Sequence, residues 1–321
     1  MRDFDLLHLA GKLYAQPWAI VPEKFRELVA VFEARRAGGE SVTKSDAEAV
    51  ARVQQEIRRE RATIIRAKLR NVAGMTVDQV GKVAILPMFG TITQRPSLFS
   101  QYSGGTSAEQ FVHAHSQLLA DDGVKSIIWD IDSPGGSVAG VPEAAGQLLA
   151  MRGQKRTVAF SNTVMASAAY WLGSAADEIV SAPSAITGSI GVVAVHQDRS
   201  QANDKVGVSV NYVHAGKYKV EGNPDQPLGG EARAAIQQTI DDYYGQFVRD
   251  VAKARKTTTA AVRSGYGEGR VLTAERARSA KLVDRVESLS ALIGRIVSYS
   301  TNSGGMAAAI RRQRQVEAEL V

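Results

Sequence analysis

The chain of 321 residues carries a formal net charge of +6, with 44% hydrophobic and 22% charged residues and no cysteine. That balance suits a globular chain with an ample core and room for one large domain or two modest ones, and the missing thiols exclude disulfides, cysteine–metal sites and a thiol nucleophile. The opening residues, MRDFDLLHLAGKLYAQPWAI, hold early aspartates and no long apolar run, so neither a signal peptide nor a membrane span is expected.

Residues 1 to about 75 read as helical. Pro22 can open a helix over EKFRELVAVFEARRAG, where Phe25, Leu28, Val29 and Phe32 recur at helical spacing and Gly38-Gly39 supply a stop. A second, strongly charged helix is expected from about Ser45 to Leu69. Its apolar stripe is narrow, so it needs a partner surface or a neighbouring subunit. The basic run Arg58 to Arg70 has no interleaved aromatics, which favours an acidic protein partner or a solvated face over nucleic acid.

From Lys82 short apolar strands alternate with helices. KVAILPMFG reads as a strand, SAEQFVHAHSQLLAD as a helix, VKSIIWDIDS as a buried strand, GGSVAGVPEAAGQLLAM as a helix and RTVAFS as a strand. A helix from Met165 to Ala175 follows, then strands, and VSVNYVHAG alternates like another strand. The succession implies an α/β fold. After Gly230 the chain is mainly helical, ending in the short unit RVLTAERARSAKLVDRV. The expected organisation is a helical segment over 1–75, a domain over 76–297, a flexible linker over 298–305 (SYSTNSGG) and a short helical tail over 306–321.

Two stretches carry chemistry. Ser167 lies among small residues in MASAAYWLG, where it contributes nothing to packing and other backbone can approach closely; by itself the stretch reads equally as a tightly packed core helix. DIDSPGGSVAG, Asp130 to Gly140, turns a buried strand toward a helix and leaves backbone N–H groups free of side chains at Gly135-Gly136. Such donors suit an oxyanion; a phosphate-binding loop is the rival, but neither G-x-G-x-x-G nor a Walker lysine is present. A serine nucleophile needs a base. His196, His214, Lys217 and Lys219 are the candidates, and an exposed lysine, with a pKa of about 10.4, cannot serve.

In the order SPGG, MASAAYWLGSAADEIVSAPSAITGSIGV, AGKYKVEGNP and GRVLTAERARSAKLVDRV, the chain resembles peptidase family S49, the signal-peptide-peptidase A type within the ClpP/crotonase superfamily. The likeness spans about Lys82 to Val286. It implies a superhelix of repeated β-β-α units with an added helical N-terminal segment. It also implies a Ser–Lys dyad of nucleophile Ser167 and general base Lys219, both within one protease domain. Ser189 would orient the lysine, and the backbone N–H groups of Gly135 and Ala168 would form the oxyanion hole. Ala168-Ala169 stand where the family often has Gly-Gly, and Ala215 where a serine is common. A histidine base, His196, remains the alternative.

The N-terminal segment resembles that of phage head-maturation proteases of this family. The resemblance implies a protein substrate (capsid scaffold, or portal, or the chain itself), a ring- or dome-shaped homo-oligomer, and a place inside a procapsid in the host cytoplasm. No cofactor, metal, membrane or nucleic acid is expected. A housekeeping bacterial peptidase, a structural capsid relative and a crotonase-like acyl-CoA enzyme are the other readings; the last has no need of Ser167 and Lys219 together.

Overall fold

The computed structural model describes residues 17–36, 56, 63, 65, 67–96 and 105–298. Its centre is a largely parallel sheet. The strands β4 (Val83–Phe89), β7 (Ser126–Ser133) and β9 (Arg156–Ala166) lie side by side and parallel, and β9 continues outward to β10 (Glu178–Ser181) and β11 (Ile186–Gly188). The other edge is an antiparallel hairpin of β2 (Lys68–Val72) and β3 (Met75–Val80), with β3 paired to β4. A short four-stranded sheet stands beside it in the order β1 (Trp18–Ile20), β8 (Gly135–Ser137), β5 (Ile92–Thr93), β6 (Thr106–Ser107).

The near-continuous apolar runs of β4 and β7 are those of strands covered on both faces. Successive side chains of a strand point to opposite faces, and the two cores divide accordingly. Leu86, Met88, Trp129 and Ile131 face the main core under α2 (Ala108–Ala120), α3 (Val141–Ala150), α4 (Ala168–Gly173) and α6 (Gly230–Ala254). Val83, Ile85, Ile128 and Phe160 face a smaller core closed by Leu292 and Ile296 of a helix over 289–298. Between β11 and α6 lies a short helix, α5 (Ser200–Lys205).

Helix α1 (Pro22–Arg36) starts at Pro22, and its Phe25, Leu28 and Val29 pack on Trp18, Ile20, Val193 and Val195. The charged helix expected through Leu69 does not reach it, because Lys68–Val72 is strand. A two-residue turn at Ala73 and Gly74, both at positive φ, folds β2 back onto β3. The rest of that expected helix lies largely outside the described residues, as does most of the basic run; Arg70 itself pairs with Asp121 at 2.7 Å. The helix expected from Met165 begins only at Ala168, since β9 runs on to Ala166. The helix expected from Gly135 begins at Val141, after β8. VSVNYVHAG forms no strand: among the described residues no strand lies alongside it, and Val208, Val210, Tyr212 and Val213 stand exposed. Among the described residues no helix is long and apolar enough to cross a membrane.

One buried polar pair ties α2 to the sheet. Trp129 donates its indole N–H to His115 Nδ1 at 3.3 Å, and the rings meet edge to face. Burial pushes the His115 pKa down to about 4, so the imidazole is neutral and carries its proton on Nε2. The folded value lies below that of the unfolded chain, so the unfolded state takes up the extra proton first. Stability is therefore fully present above pH 6.5 and declines as pH falls toward 4. The expected slope from this group reaches about 1.4 kcal/mol per pH unit inside that window. Urea unfolding of the parent and of His115→Phe across pH 7 to about 4 checks it: the parent should lose stability more steeply than the variant.

Candidate active site

Strand β9 delivers Ser167 to a sharp junction. The next residue already opens α4, so the chain must reverse within one residue, and Ser167 takes φ 56°, ψ −120°. That is a strained conformation for any residue with a Cβ. It is held from several sides. The Ser167 N–H donates to the Gly188 carbonyl at 2.8 Å, fixing the junction to the end of β11, and the Trp171 N–H donates to the Ser167 carbonyl at 2.9 Å. The small residues around it have a packing cause: a Cβ on Gly173 would sit 2.6 Å from Met165 Sδ. A strained serine between a strand and a helix is the geometry of nucleophile elbows in hydrolases.

Helix α4 is anchored at its far end by Arg152, a residue that sequence reasoning missed. The Arg152 guanidinium donates to the carbonyls of Ser174, Ala175, Ala176 and Ala254 at 2.6–2.9 Å. It thereby satisfies buried carbonyls of the turn that follows α4 and ties that turn to the end of α6. Trp171 adds a stacked contact with Phe247 of α6, centroids 4.2 Å apart, and an indole N–H bond to Asp250. No motif could have revealed Arg152, because its partners are backbone carbonyls, which carry no sequence signature.

Gly135 lies against Ser167. A Cβ placed on Gly135 would fall 3.0 Å from Ser167 Cβ and 2.2 Å from the Ala19 carbonyl oxygen. Gly135 also has φ 104°, so both space and backbone require glycine there. Its N–H approaches Ser133 Oγ at 3.2 Å, while that hydroxyl donates to the Gly90 carbonyl at 2.6 Å. Ala168 is buried at the first position of α4. Ser189 follows β11 directly, at φ 55°, and its N–H donates to the Arg270 carbonyl. Ser167, Gly135, Ala168 and Ser189 are thus gathered around one junction.

The candidate bases are not. Ser167 Oγ donates to the Gly191 carbonyl at 3.4 Å. Lys219 is exposed on the segment after α5, in a turn closed by its own N–H to the Gly216 carbonyl. Lys217 is held by Tyr218 and Glu231. His196 donates Nε2–H to the Asn223 carbonyl at 3.0 Å, and His214 bonds the Gly216 carbonyl. The expectation that one protomer by itself assembles the dyad is not met by this geometry. The same segment exposes Val206, Val208, Val213 and Tyr218. A cavity of about 420 Å³ is walled by Ile190, Gly191, Ile240, Tyr244, Arg263 and Glu268, next to the Gly191 carbonyl that Ser167 Oγ bonds.

Residues 150–298 match the family described as Peptidase family S49. The chain is 34% identical to the capsid assembly protease C of Escherichia phage lambda over 53% of its own length and 39% of the phage protein's. It is 31% identical to Protease 4 of Salmonella typhi, over 64% of this chain and 33% of that protein. A chloroplastic serine protease of Arabidopsis thaliana is 28% identical over 66% of this chain and 31% of its own length. The chain therefore spans well under half the length of each of these three relatives.

Removing the α4 anchor tests the geometry. Arg152→Ala strands several buried carbonyls and should cost about 3 kcal/mol, a drop of several degrees in Tm. Arg152→Lys should recover only part of it, because a single ammonium cannot span four carbonyls. Thermal melts of the three chains decide, and an unchanged Tm in Arg152→Ala would contradict the anchoring role.

Proposed function

We propose that the chain, whose residues 150–298 match peptidase family S49, a family of serine peptidases, is a serine endopeptidase with Ser167 as nucleophile and Lys219 as general base. One observation carries the reading: a buried serine held at strained dihedrals between a strand and a helix, facing Gly135. Strain at a position that gains nothing from a hydroxyl in packing is typical of functional sites. The fold that this reading implies is the ClpP/crotonase-like superhelix, with the N-terminal helical segment added to it.

In the reaction, neutral Lys219 takes the Ser167 proton as Oγ attacks a peptide carbonyl carbon. The resulting oxyanion rests on the N–H groups of Gly135 and Ala168. The lysine then passes its proton to the leaving amine as the C–N bond breaks, and water hydrolyses the acyl-enzyme by the same route. Ser189 orients the lysine. Gly135 has to release its weak contact with Ser133 Oγ to receive the oxyanion.

An exposed ammonium is a poor base, so Lys219 must be buried when the enzyme works. The exposed apolar side chains of residues 206–218 give a reason for burial: they are a surface for a second copy of the chain. The working enzyme is accordingly a closed homo-oligomer, ring- or dome-shaped, in which a neighbour's segment brings lysine to serine. Similarity to the phage lambda protease supports a role in capsid maturation, with scaffold, portal or the chain itself as substrate, inside a procapsid. Similarity to Protease 4 supports the competing reading of a housekeeping peptidase.

Ser167→Ala and Lys219→Ala should each abolish peptide cleavage while leaving the melting curve close to the parent's. Lys219→Arg should not rescue activity, because a guanidinium stays protonated. His196→Ala should be nearly silent; a loss equal to that of Ser167→Ala would move the base to histidine. Mixing the two inactive variants after reversible dissociation should restore roughly a quarter of parental activity, if sites form between copies of a symmetric assembly. A mixture as dead as its components would place the dyad within one chain.

A further inference from the structure

The strand β1 is held as a substrate would be. It lies antiparallel to β8, with Trp18 opposite Ser137, Ala19 opposite Gly136 and Ile20 opposite Gly135. Its ends are clamped by Val21 N–H to the Pro134 carbonyl at 2.9 Å and Val138 N–H to the Pro17 carbonyl at 3.3 Å. On its other edge Trp18 and Val193 exchange both backbone hydrogen bonds, at 2.8 and 2.9 Å. An extended segment is thus inserted between β8 and the chain leaving the Ser189 turn. These are the two stretches of backbone that flank Ser167.

The insertion brings a peptide carbonyl to the nucleophile. The Ala19 carbonyl oxygen and Ser167 Cβ border the same Cβ-sized space over Gly135, and Ser167 is fully buried with β1 in position. Side chains alternate along the strand. Ala19 points into the main core, whereas Trp18 and Ile20 point the other way into a small satellite cluster with Phe25 and Val193. Backbone pairing on two edges with small and large pockets on alternate faces is how strand-addition sites select peptides.

We propose that the slot between Gly135–Ser137 and Val193 is the acyl-side peptide groove of this site, and that residues 17–21 are its built-in occupant, which an incoming peptide replaces. The ligand class is an extended peptide with a small residue facing the core between two large apolar ones. The proposal deepens the peptidase reading and rests on Ser167 being the nucleophile. Displacement is local: β1 is three residues long and its two large anchors, Trp18 and Ile20, lie in a cluster separate from the main core, which only the small Ala19 enters.

The test uses binding, so that it does not depend on turnover. In the full chain carrying Ser167→Ala, which prevents cleavage, Trp18→Cys and Ser137→Cys would place a disulfide across Cα-paired positions, a separation within disulfide reach. The chain has no other cysteine. A fluorescein-labelled peptide QPWAIVP should bind the reduced protein at least about tenfold more tightly than the oxidised one, read by anisotropy. Equal affinity in the two states, or no binding to either while both melt cooperatively, would overturn the proposal. Should the cysteine pair prevent folding, hydrogen exchange of the Ser167→Ala chain decides. Saturating QPWAIVP should speed exchange of the Trp18 and Val21 amides while leaving the Val193 amide protected, and unchanged Trp18 and Val21 exchange would count against displacement. A failure of the peptidase reading shows separately, as an absence of reaction between the parent's Ser167 and a fluorophosphonate.

Discussion

The arrangement depends on holding one serine in a backbone conformation that it would not adopt alone. Ser167 sits at positive φ with ψ near −120°, a state that costs on the order of 1–3 kcal/mol. The surrounding structure over-determines it. β9 fixes the approach, the Gly188 carbonyl takes the Ser167 N–H, and α4 is pinned behind it by Arg152, Trp171 and the close contact of Gly173 with Met165. The alanines and glycines around Ser167 are what allow three elements to converge there without a clash. Chemistry and packing therefore explain the same residues.

On the proposed reading, the residues around Ser167 are gathered within one protomer and the lysine base is not. Gly135, Ala168 and Ser189 surround Ser167, while Lys219 stands on an exposed segment among valines and tyrosines that have no partner strand among the described residues. Each deficiency accounts for the other. A lysine needs burial to become a base, and an exposed apolar strip needs a surface to cover it. The proposed assembly between copies would supply both at once and limit activity to the assembled state. The proposed occupation of the groove by β1 would add a second restraint, acting within the protomer.

Much of the sheet was legible in the residues. The apolar runs of β4 and β7 are long enough and sufficiently flanked by turns to read as buried strands, and Pro22 marks the start of α1 correctly. The errors have physical causes. Lys68–Val72 has helix-compatible composition, but the Ala73-Gly74 turn lets it pair with β3, and tertiary pairing outweighs propensity. VSVNYVHAG alternates as a strand does, yet alternation cannot say whether a partner exists in the same chain. Ser167 and Gly135 stood out locally, through misplaced polarity and paired glycines. Lys219 was singled out only through resemblance to a family, since one lysine among many has no signature. Arg152 and the seat of β1 were invisible, because both act through backbone groups at large sequence separation.

The central claim is that Ser167 is a nucleophile activated by Lys219, and covalent labelling tests it most directly. The assembled parent chain is treated with a small fluorophosphonate, digested and mapped by mass spectrometry, alongside Lys219→Ala at the same oligomeric size. The account predicts one adduct in the parent, on the peptide containing Ser167, and its loss in Lys219→Ala. An adduct on a different serine, or equal labelling of Ser167 with and without the lysine, would contradict it.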